Sequence, residues 1–145
     1  MADARLVEAL ERLIVGAVGM TTVALAEFAP AAELTLPQWR ALLVVARADG
    51  VRVTEIGTRV GMALPSASRL VRRLERRGLV TTARDETDRR GTIVRPTPAG
   101  LQLWLDLVDY RRRLIADLLD ALPAPLPAGL AGELERVERA FARYA

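Results

Sequence analysis

The sequence predicts a mainly α fold of the α+β class: a winged helix-turn-helix lobe held between long N- and C-terminal dimerisation helices. Three observations predict it. Residues from about Leu64 read as an amphipathic helix whose outer face is almost all arginine. Two short β-branched segments, Leu79–Ala83 and Thr92–Val94, follow it and enclose a wholly polar loop. Apolar helical patterns too extensive for one small core flank this unit on both sides. The 145 residues are read as one domain, 1–145, with the winged lobe at 35–97 and the dimerisation helices at 1–34 and 98–145.

Each element has its own signal. The first helix spans Ala2 to Ala29 and is apolar nearly all round, with Leu6, Leu10 and Leu13 on one line and Val7, Ile14, Val18 and Leu25 on others. Such a helix must be covered on more than one side. Thr35-Leu36-Pro37-Gln38 opens a second helix, with Thr35 as N-cap and Gln38 completing a capping box. It runs to about Ala48, and Trp39 belongs to its core face. Val51–Val53 is extended, and Thr54 caps a short helix over Glu55–Val60. Gly61 makes the turn into the basic helix, which has Pro65 in its first turn and Gly78 at its C′ position. Two short helices joined through a glycine, the second one basic, have the helix-turn-helix layout. Thr97-Pro98-Ala99-Gly100 caps a long helix that runs to about Leu122, and Pro123–Pro127 is a stiff linker. Ala128–Tyr144 closes the chain as an amphipathic helix with Leu130, Leu134, Val137 and Phe141 on one side.

Composition narrows the chemistry. The chain has no Cys and no His, which removes disulfides, a thiolate switch, a Cys or His zinc site and the usual near-neutral acid or base. With no Gly-rich phosphate loop and no metal-ligand cluster, neither an enzyme nor a cofactor is expected. The formal charge is only +3, but residues 51–95 hold 11 Arg against 5 acids, a net of +6, which leaves −3 for the rest. Charge gathered on one segment is the footprint of a nucleic-acid binder. All 21 basic residues are Arg, as the codon bias of a GC-rich genome would give. The longest uncharged early run, Leu13–Ala26, has 14 residues, short of the roughly 20 a spanning helix needs. No membrane role and no targeting segment are therefore expected, and a cytoplasmic location is.

On the basic helix, Ala67, Leu70, Val71 and Leu74 form the apolar stripe, while Ser66, Ser68, Arg69, Arg72, Arg73 and Arg76 lie off it. A solvated surface helix usually mixes signs. Here only Glu75 stands against five arginines. Such a helix fits the major groove of DNA. Arg84 to Gly91, with Asp85, Asp88, Arg89 and Arg90, forms the charged tip of the wing. Asp88 and Arg90 are two apart, so in an extended wing they project to one side and Asp88 can orient Arg90.

These segments resemble the MarR (multiple-antibiotic-resistance type) family of transcription regulators. The resemblance is carried by Thr35–Trp39, by Arg69–Val80, by Asp88-Arg89-Arg90 with Val94 and Thr97, and by Thr97–Gly100. Three positions depart from the family pattern. Ala63 and Leu64 stand where Ser-Arg is common, and Pro96 stands where an aliphatic residue is usual, so the last strand is expected to end early. The resemblance implies a homodimer on a palindromic double-stranded DNA operator. It also implies, in many members, a small-molecule pocket between the lobes and the dimer helices. DNA contacts are then expected from Ser66, Ser68, Arg69, Arg72, Arg73, Arg89 and Arg90, with Asp88 orienting the wing; Trp39 and Trp104 are candidates for a pocket wall. The expected function is a sequence-specific regulator, a homodimeric repressor released by a small organic ligand. The alternative is a non-specific DNA-coating protein, or a ligand-independent regulator, on the same fold.

Overall fold

A computed structural model describes residues 3–28, 34–86, 88 and 91–141. The helices are α1 (Ala4–Phe28), α2 (Leu36–Ala46), α3 (Val53–Val60), α4 (Leu64–Arg76), α5 (Pro98–Asp120) and α6 (Leu130–Phe141). The strands are β1 (Val51–Arg52), β2 (Val80–Arg84) and β3 (Thr92–Pro96). They form one antiparallel sheet in the order β1-β3-β2, with Val51 opposite Val94 and Thr82 opposite Val94 from the other side.

The core lies where α2, α3 and α4 meet this sheet and the first half of α5. Leu42, Val45, Ile56, Leu74, Val80, Val94 and Leu107 are fully buried there. The α4 stripe supplies Ala67, Leu70, Val71 and Leu74, all buried as their spacing requires. Each full-sized side chain among them contributes about 1.5–3 kcal/mol by leaving water. The Thr35 N–H donates to Gln38 Oε1 at 3.0 Å, the return arm of the expected capping box. At the far end of α4, Gly78 takes φ 69°. There the Gly78 N–H donates to Glu75 O at 2.8 Å and the Leu79 N–H to Leu74 O at 3.0 Å, which closes a Schellman turn.

Three boundaries differ from the sequence reading. Thr54 does not cap α3: the N-cap is Arg52, in extended conformation, and the helix takes in Val53. Pairing of Val51 and Arg52 with β3 ends the extended piece one residue sooner. β3 continues to Pro96, which pairs with Val80. Proline is tolerated because the two-residue β1 has already ended on that side, so no ladder bond calls for the missing N–H. β2 begins at Val80, and Leu79 is left to the turn.

α1 packs along α5, with Ala24 and Leu25 buried and Tyr110 Oη donating to Glu27 Oε2 at 2.8 Å. That bond, which holds the phenol protonated, raises the Tyr110 pKa above its usual value. Most of α1 stays open to solvent. Its Ala4–Glu27 stretch is long and apolar enough, by length and composition, to cross a membrane. The count of uncharged residues had set it below that length; the helix continues through Arg12 and Glu11.

Candidate nucleic-acid interface

The outer face of α4 is built by exclusion. With the stripe turned inward, Arg69, Arg72, Arg73, Arg76 and Arg77 are left exposed, and Ser66 and Ser68 are half-buried at the rim. The Arg69 guanidinium donates from Nη2 to Ser66 Oγ at 3.1 Å, which holds it over the first half of the helix. Arg77 Nη1 reaches Gln38 Oε1 at 3.4 Å, so the C-terminal end of α4 is tied to the start of α2. A groove of about 260 Å³ runs between these helices past Thr35, Gln38, Ser66, Arg69 and Arg73.

Glu75, the one acid among these arginines, is turned away from them. Its Oε1 accepts from the Thr82 N–H at 3.1 Å and from Thr82 Oγ1 at 2.6 Å, pinning β2 to α4. Sequence spacing did not show this, because Thr82 lies beyond the turn. The basic face is therefore more uniform than its composition suggested.

The wing is closed at its base by a residue the sequence reading assigned to the tip. Asp85 is buried, 7% exposed, and its Oδ2 pairs with Arg52 Nη2 at 2.5 Å. Its N–H donates to Gly91 O at 3.0 Å, and the Asp88 N–H reaches its Oδ1 at 3.4 Å. The partner Arg52 is 33 positions away on β1, so no local pattern points to it. A cleft of about 380 Å³ separates the wing from α4, lined by Arg52, Thr54, Leu64, Ser68, Asp88 and Thr92 among others. Asp88 is exposed there. Arg89 and Arg90 lie outside the described residues.

The two tryptophans part company. Trp39 is sealed in the core at 2% exposure. Trp104 is half-buried on α5 against the same core, and its indole Nε1 finds no acceptor among the described residues. Two turns along α5, Arg111 is half-buried. Burial first, then the nearby charges of Arg47 and Arg112, lower its pKa. No group of three potential metal ligands occurs among the described residues.

The MarR family's sequence profile matches residues 32–91, from the approach to α2 through the wing loop. Over that stretch the chain is similar to the MarR family. This family consists of non-enzymatic, DNA-binding transcription regulators. The chain is 40% identical over 68 residues to the HTH-type transcriptional regulator TtmR of Methylorubrum extorquens, covering 47% of this chain and 35% of that protein. It is 36% identical over 70 residues to the HTH-type transcriptional repressor IacR of Pseudomonas putida, covering 48% of this chain and 42% of that one. The alignments thus span less than half of either relative. Two solved structures share the fold over nearly the whole chain. RV1404 from Mycobacterium tuberculosis superposes with a TM-score of 0.82 at 20% identity, over 97% of this chain and 95% of that one. Streptococcus pneumoniae FabT in complex with DNA superposes with a TM-score of 0.73 at 16% identity, over 97% and 98%. At such identities the likeness concerns the fold.

Proposed function

We propose that the protein is a sequence-specific transcription regulator that binds a palindromic operator as a homodimer, represses, and lets go when a small organic ligand binds. The observation that carries the reading is the outer face of α4: five exposed arginines, with Glu75 withdrawn to Thr82. Arg69, Arg72 and Arg73, with Ser66 and Ser68, enter the major groove or hold its phosphates, while Arg89 and Arg90 on the wing reach the next groove, oriented by Asp88. The FabT–DNA complex supports this placement through the shared fold. The relative IacR, a transcriptional repressor, supports the sign of regulation.

The second copy covers the apolar surface of the terminal helices. Leu13, Ile14 and Val18 on α1, Leu118 and Leu119 on α5, and Leu134 and Phe141 on α6 are all exposed in the single chain. Exposed apolar area on this scale marks an association surface. A two-fold dimer sets its recognition helices about 34 Å apart, one DNA turn. The effector binds near α2 and α5, with Trp39 and Trp104 as candidates for the wall; the buried Trp104 indole N–H, which has no acceptor among the described residues, supports this, and neither a metal nor a cofactor is involved. The regulator works in the cytoplasm, with no membrane attachment.

Selection from random double-stranded DNA with the purified full chain tests the reading. The expected result is an enriched inverted repeat with half-sites about 10 base pairs apart, centre to centre. Binding without enrichment of any sequence would leave a non-specific DNA coater, and no binding would end the DNA reading.

A further inference from the structure

Between Leu34 and Thr97, Leu64 is the one large hydrophobic side chain that stays exposed among the described residues, at 51%. The other exposed ones lie on α1, α5, α6 and the connection between the last two, where a second copy would cover them. That explanation does not extend to Leu64. It stands at the first position of α4, beside exposed Ala63 and Pro65. It lines the cleft between α4 and the wing together with Ser68, Arg52 and Thr54. The helix thus begins in a tip with no side-chain donor or acceptor, with exposed Arg52 in the same cleft and exposed Arg69 and Arg72 further along the helix.

The surrounding charges draw DNA in, and the N-terminal residues of the second helix of a helix-turn-helix face base edges. An alkyl side chain in that place offers no hydrogen bond to a base. The apolar group that the major groove presents is the C5-methyl of thymine, and van der Waals contact with it is a recognised mode of base readout. We propose that Leu64 is a specificity-determining residue that reads a pyrimidine C5-methyl group, that of one thymine in each operator half-site. This rests on the DNA-binding reading above and adds to it a chemical class of contact.

The test uses the full chain and the operator recovered by selection. Each thymine is replaced in turn by uracil, which deletes the methyl and leaves pairing unchanged. Wild-type affinity falls at one thymine per half-site by about fourfold, and by about fifteenfold when both half-sites are changed, the size expected for burying one methyl each. At that position a C·G pair gains a similar factor on 5-methylation of the cytosine. Leu64→Ala binds the thymine and uracil operators alike, and Leu64→Met, which keeps an apolar reach, restores the difference. An operator insensitive to every thymine-to-uracil change overturns the inference while leaving specific DNA binding intact. So does a Leu64→Ala protein that still discriminates. A wild-type chain that enriches no sequence overturns the regulator reading and this inference with it.

Discussion

Arg52 Nη2 and Asp85 Oδ2, 2.5 Å apart, join the first strand of the sheet to the base of the wing. Arg52 remains half-exposed, so its charge can be hydrated if the partner is lost, whereas Asp85 cannot be hydrated in place. The two substitutions should therefore differ. Arg52→Ala takes the guanidinium from a buried carboxylate and should cost about 1–3 kcal/mol. Asp85→Ala should cost the fold less, about 1 kcal/mol, and lower DNA affinity by freeing the Asp88–Gly91 turn. Thermal melting and operator titration of both variants check this. Equal melting temperatures would show that burial of Asp85 does not set the asymmetry.

Gly100 follows a second close approach. A Cβ built there would lie 2.0 Å from the Leu79 carbonyl oxygen, a backbone atom that also accepts the Thr97 N–H at 3.0 Å. Thr97 Oγ1 meanwhile donates to Gly78 O at 2.6 Å and accepts from the Gly100 N–H at 3.0 Å. Glycine to alanine ordinarily stabilises a helix by about 1 kcal/mol. Here the sign reverses, because the end of α4 and the start of α5 would have to separate. Urea titration of Gly100→Ala should show a loss of at least about 1–3 kcal/mol.

How far the sequence reaches is visible in these residues. The α4 stripe was legible because burial on one side of a helix repeats at 3.6 residues, and Ala67, Leu70, Val71 and Leu74 keep that repeat. The caps at Thr35, Gly78 and Thr97 were legible because each uses a residue type that satisfies terminal backbone groups. Asp85 was not, since a carboxylate in a charged loop reads as solvated until strand pairing brings Arg52 to it. Neither was the turning of Glu75 toward Thr82, nor the exposure of Leu64, both of which depend on where the wing folds back. The strand through Pro96 was missed because tolerance of proline depends on the length of the neighbouring strand, β1.

Leu118 tests the association surface. It is half-exposed on α5, so a charge there is solvated in the single chain and Leu118→Glu should leave a monomer folded. Buried between two copies, an unpaired glutamate is costly. Light scattering at micromolar concentration should show a dimer for the wild type and a monomer for Leu118→Glu, with helical circular dichroism retained by the monomer. A wild-type monomer would remove the dimer, and with it the explanation offered for the apolar faces of α1, α5 and α6.

The arginines of α4 should not be equivalent. Arg69 is already held by Ser66 near the start of the helix, the end that faces base edges, so part of its rotamer entropy is lost before DNA arrives. Arg77 is tied to Gln38 at the opposite end of α4, away from the N-terminal residues that read bases in a helix-turn-helix. A base contact discriminates, while a phosphate contact releases a counterion whatever the sequence. Arg69→Ala should therefore cost about 1–3 kcal/mol on the operator, much less on random DNA, and relax one position of the recovered site. Arg77→Ala should weaken both DNAs alike and reduce the slope of log affinity against log salt by about one unit. Arg72 and Arg73, exposed between them, should divide by the same two measurements: whichever leaves the salt slope unchanged reads a base. If alanine at Arg69, Arg72 and Arg73 together left operator affinity unchanged, α4 would not be the recognition helix.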